Sequence, residues 1–166
     1  MTWRARFRRS GARKTHGSVA GSGEGISLET KRVVDLGPVR DLYALLEAID
    51  RAMADGDVLY VEGTNIGPEI RAFLEANAAE EARPIARGTL LPRPTSYHLS
   101  LSGPTLGELR ELAQGRAEPE ICDHLVVYRG DEVILSAYDA GSGHVYVSVD
   151  LPAETVEGLR RGLGMA

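Results

Sequence analysis

With 166 residues, 43% of them hydrophobic and 26% charged, the chain is long enough to bury a core as one domain without a covalent staple. Its single cysteine, Cys122, excludes an internal disulfide and a cysteine-based zinc knuckle, and points to a reducing compartment. No apolar run approaches the ~20 residues that span a bilayer, and no hydrophobic stretch follows the basic N-terminus as in a secretory signal, so a cytoplasmic protein with no membrane association is expected.

The net charge of −5 is unevenly spread. Residues 1–23 hold Arg4, Arg6, Arg8, Arg9, Arg13 and Lys14 and no acid. The other 13 basic and 24 acidic side chains give the rest of the chain −11. Glycines and serines from Gly17 to Gly25 read as a linker, because ordering glycine costs entropy that no side chain repays. Residues 1–25 are therefore expected to be a basic tail and linker, and residues 26–166 a single acidic domain.

The first expected strand runs from Lys31 to Leu36. Gly37-Pro38 then reads as the opening of a helix to about Ala54, with Val39, Leu42, Leu45, Leu46, Ile49 and Met53 on one stripe. The apolar run Asp57–Glu62 suits a strand buried on both faces. Gly67-Pro68 begins a second helix, where proline's missing N–H costs nothing in the first turn. Pro84, Pro92 and Pro94 restrict any strand over 85–91 to an edge. Tyr97–Leu101 alternates as a strand, and Thr105-Leu106-Gly107-Glu108 reads as a capping box that starts a short helix.

Three strands in a meander follow, over residues 122–128, 132–138 and 144–149, and a last helix begins at Asp150 to Pro152. This order predicts a fold between α/β and α+β. Its mixed sheet has an N-terminal β-α-β-α unit with one parallel pair and a C-terminal antiparallel three-strand meander, packed by about four helices.

Alternation sorts the meander into two faces. Leu125, Val127, Val133, Leu135, Ala137, Val145, Val147 and Val149 form a core face. His124, Val126, Tyr128, Ile134, Ser136, Tyr138, His144, Tyr146 and Ser148 form the other. An apolar body with a polar tip suits tyrosine and histidine to a surface that is sometimes wet and sometimes covered. That face is either a recognition surface for a partner or homo-oligomer mate, or the underside of a covering helix. A second candidate is Glu62-Gly63-Thr64-Asn65, a polar loop just after the best buried strand.

No glycine-rich phosphate motif, nucleophile elbow or paired-histidine spacing is present, so neither a cofactor nor a metal site is assigned. The expected function is a non-catalytic binding protein of adaptor or immunity type. Its candidate binding residues are His124, Tyr128, Tyr138, His144, Tyr146, Glu62 and Thr64, and its acidic body favours a basic protein partner. Nucleic acid is expected only at residues 1–23, where Trp3 and Phe7 stand among the arginines. The alternative is a small metal-assisted hydrolase that uses His98, His124, Asp139 and His144 with Glu62 nearby.

Overall fold

The computed structural model describes residues 25–28, 32–39, 41–86 and 92–165. The basic tail and most of the expected 85–91 strand lie outside these residues. The elements in chain order are β1 Val33–Pro38, α1 Leu42–Ala52, β2 Val58–Gly63, α2 Pro68–Ala76, β3 Thr95–Ser100, α3 Gly103–Ala113, α4 Glu118–Ile121, β4 His124–Arg129, β5 Glu132–Tyr138, β6 His144–Ser148 and α5 Ala153–Gly162. None of these helices is long and apolar enough to cross a membrane.

The six strands form one sheet in the order β1-β6-β5-β4-β2-β3. Every pairing is antiparallel, so the fold is α+β with the expected C-terminal meander at the centre of the sheet. The expected parallel pair does not form. The helical crossover does return β2 in the same direction as β1, as a β-α-β unit requires. The three meander strands insert between them, however, so β1 pairs with β6 at one edge and β2 with β4.

Two element boundaries differ from the sequence reading for local reasons. Gly37-Pro38 ends β1 instead of opening α1. Gly37 adopts φ +104° at a bulge, and its N–H donates to the Asp35 carboxylate. The helix starts later, where the Asp41 side chain caps the Tyr43 N–H. In α3 the cap is Ser102, not Thr105: its Oγ lies 2.7 Å from the Thr105 hydroxyl and accepts from the Thr105 N–H, which leaves Pro104 in the first turn. The four-residue α4 had no legible signal beyond Pro119, since a single turn shows no periodicity.

All five helices bury their apolar side chains against one face of the sheet. Leu45, Leu46 and Ile49 of α1, Ile70 and Leu74 of α2, Leu109 of α3 and Leu159 of α5 join Leu59, Leu99, Leu125, Val127, Leu135 and Val147 in the main core. The other face carries a smaller cluster of Tyr60, Val126, Tyr128 and Val133 with Leu28 and Ile85. Among the described residues its cover is extended chain, residues 26–28 and 84–86, so the expected covering helix is absent. That assignment of helices to one face leaves Tyr60, Tyr128, Tyr138 and Tyr146 in a cluster covered by a thin strap.

Candidate functional site

Strand parity sorts the meander correctly except at one bulge and at Val149, which lies beyond the end of β6 and is 49% exposed instead of joining the core face. Val127 pairs with Leu135 while Tyr128 pairs with Val133, so Ile134 is the extra residue. The bulge sends Val133 to the tyrosine face and Ile134 to the main core, the reverse of their predicted places.

The register aligns three candidate residues across neighbouring strands. Glu62 of β2 faces His124 of β4, which faces Tyr138 of β5. Tyr60 shares the β2 face, two residues before Glu62, and its hydroxyl donates to Glu62 Oε2 at 2.5 Å. His124 Nε2 stands 3.8 Å from Glu62 Oε1. His124 Nδ1 accepts the Asp139 backbone N–H at 2.8 Å, which places the proton of a neutral ring on Nε2, the nitrogen facing Glu62. Asp139 reaches this position with φ +52°, a left-handed conformation that aspartate tolerates better than most residues.

The Tyr138 ring lies 5.2 Å from the His124 ring, and its hydroxyl donates to the Ala86 carbonyl at 3.1 Å. Burial, and then the nearby negative charge of Glu62, push the Tyr138 phenol up to about 12. Glu62 is 0% exposed and Tyr128 1% exposed. Neither is presented to solvent in this conformation. The row is thus a buried polar support beneath one end of the sheet, and Tyr60 is the member that sequence reasoning missed. Its signal was available: residues 60 and 62 share a face of any strand that contains both.

Tyr128 stands at the other end of the same face. Its hydroxyl lies 2.9 Å from His98 Nδ1 and accepts the Arg83 N–H at 3.2 Å. Burial raises the Tyr128 phenol, a shift opposed by the Arg83 N–H, and burial lowers His98. His144 is 46% exposed and holds Asp35 of β1, with both carboxylate oxygens 2.8–2.9 Å from Nδ1. Tyr146 is half-buried and stacks on His144 at 6.1 Å. His98, His124 and His144 therefore each engage different partners. Among the described residues no three histidine, cysteine or acidic side chains gather as a metal site.

Thr64 is exposed at the end of β2, where its N–H and hydroxyl both donate to Asp123 Oδ2, at 2.7 and 2.8 Å. Asp123 also binds backbone on two sides, donating to the Glu62 carbonyl and accepting from the Ala140 N–H. It thereby ties the end of β2 to the β5–β6 turn. Beside it opens a hollow of about 220 Å³, lined by Glu118, Cys122, Asp123, His124, Asp139 and Ser142 among others. Burial first, then Asp123 and Glu118, push the Cys122 thiol far above its ordinary range, so it stays protonated and unreactive.

The two ends of the sheet differ in charge pairing. At the end where β2 begins, three acids have arginine partners, Arg32 with Asp150, Arg83 with Asp131 and Arg129 with the buried Asp57, while Glu80 and Glu81 lie exposed. At the end where β4 begins, the described partners of Asp35, Asp123 and Asp139 are histidines, a threonine and backbone amides. Asp139 is 78% exposed there. Glu62, Thr64, His124, Tyr138 and His144 all converge on that acidic end, and Tyr146 adjoins it beside Asp35 and His144, while Tyr128 does not. Comparison with protein-family models, curated proteins and solved structures returned no match.

Proposed function

We propose that this chain is a non-catalytic binding protein whose recognition surface is the acidic end of the sheet, and that its partner is a cationic polypeptide. The observation that carries this reading is the contrast between the two ends: one pairs Asp57, Asp131 and Asp150 with arginines, and the other presents Asp139, Asp123 and Asp35 without them. Carboxylates placed around a hollow focus negative potential, which speeds encounter with a positive partner and disfavours nucleic acid. The charge of −11 on residues 24–166 acts in the same direction over longer range. In this reading Thr64 fixes Asp123, the buried Glu62-Tyr60-His124-Tyr138 row holds the loop ends in place, and His144 orients Asp35.

The test separates a local site from general acidity. An arginine-rich peptide is titrated into the full-length protein, into the pair Glu118→Gln/Asp139→Asn, and into a control pair, Glu80→Gln/Glu81→Gln. The control removes the same charge at the opposite end, where both glutamates are exposed. The first pair is expected to weaken binding about tenfold and to flatten its dependence on salt, while the control stays within about twofold of the native protein. Equal losses in both pairs would reduce the effect to net charge and overturn the assignment of this end.

A further inference from the structure

The strap over the tyrosine face is made of two extended pieces that are anchored unequally. Arg83–Ala86 is gripped by the sheet: its N–H at Arg83 donates to the Tyr128 hydroxyl, its Ala86 carbonyl accepts from Tyr138, and the Arg83 guanidinium pairs with Asp131. Residues 25–28 lie on that piece. Among the described residues their backbone bonds run only to it, from the Ile26 N–H to the Pro84 carbonyl at 2.8 Å and from the Ala86 N–H to the Ile26 carbonyl at 3.0 Å. The two pieces pair as a parallel bridge between Ile26 and Ile85.

Two residues apart on extended chain, Ile26 and Leu28 both join the small apolar cluster, packing with Ile85, Val126, Val133 and Tyr146. Gly25 precedes them at φ +150°. A Cβ there would lie 2.5 Å from the backbone of both Ile85 and Ala86, so only glycine lets the chains approach. Main-chain bonds to an exposed extended edge, with alternate side chains filling apolar pockets, are how folded domains capture extended peptides.

We infer that the surface beneath residues 25–28 is a peptide-binding groove, occupied at rest by the chain's own Gly25–Leu28. The ligand it takes is an extended peptide with a glycine followed by two apolar side chains two residues apart. The chain's own segment holds the groove because tethering makes its binding intramolecular and gives it a high local concentration. A free peptide of the same pattern competes with it, and any change that unseats the segment opens the groove.

The probe is a fluorescent peptide with the sequence of residues 22–30, followed by anisotropy against full-length protein. Gly25→Ala drives a methyl group into the Ile85–Ala86 backbone and unseats the segment while leaving every groove residue intact. Leu28→Asp unseats it by a different route, the cost of burying a charge. Each variant is checked for a native thermal transition before use. Both are expected to bind the peptide at least tenfold more tightly than the native chain, and a peptide with aspartate in place of Ile26 and Leu28 is expected not to bind. A folded Gly25→Ala or Leu28→Asp chain that binds no better than the native one, or equal binding of the aspartate peptide, would sink the proposal. The probe is itself acidic, so the acidic end of the sheet repels it, and failure here leaves the cationic-partner reading untouched.

Discussion

Tyr138 and His124 illustrate how neighbouring side chains on one face acquire different chemistry from their immediate partners. Tyr138 donates to a backbone carbonyl in partial burial near a carboxylate, and both burial and that negative charge oppose loss of its proton. His124, one strand away, accepts from the Asp139 amide on Nδ1 and turns Nε2 toward Glu62. The expected outcome of an ultraviolet phenolate titration is a late phase near pH 12, absent in Tyr138→Phe. The unfolded phenol ionises near ~10. The stabilisation linked to this group is therefore complete below about pH 10 and is lost as pH rises from there through about 12. Titration of all tyrosines near 10 in a chain that is still folded would refute the burial account. The residues of this row could be picked out from the sequence one by one. Their alignment could not, because it depends on the register of three strands.

Helix α5 separates two glycines that look alike in sequence. At Gly158 an added Cβ would meet nothing within 4 Å, whereas at Gly162 it would lie 2.9 Å from the Ala48 Cβ of α1. Gly158→Ala is expected to stabilise the protein by about 0.5–1 kcal/mol, the usual gain in helix propensity. Gly162→Ala forces α5 away from α1 and is expected to be neutral or destabilising by about 1 kcal/mol despite the same propensity gain. Chemical denaturation of the two variants measures the difference, and equal stabilisation would mean that the α1–α5 contact yields freely. Other element-level departures have similarly local causes. The bulge in β5 exchanges Val133 and Ile134 between faces, and the one in β1 draws Gly37-Pro38 into a strand. Alternation cannot reveal a bulge, because the extra residue shifts the count without changing the composition.

The acidic end of the sheet has a consequence for the molecule as a whole. Carboxylates that lack arginine or lysine partners repel one another in the compact state more than in the expanded chain. The exposed arginine pairs at the opposite end, such as Arg32–Asp150 and Arg83–Asp131, contribute little for salt to weaken. The thermal midpoint is therefore expected to rise between about 0.02 and 0.3 M sodium chloride, as the screening length shortens to a few ångströms. A falling midpoint would show that the ion pairs outweigh the repulsion.

By itself the sequence determined the succession of elements apart from the single-turn α4, the division of charge and most of the two faces of the meander, because helix and strand periods and turn residues act over a few neighbours. Strand order, the strap and the acidic end were decided only by tertiary structure. Each rests on contacts between residues far apart in the chain: β1 with β6, Ile26 with Ile85, Thr64 with Asp123 and Asp35 with His144. Such contacts are selected by how the whole sheet packs, and no local pattern encodes them.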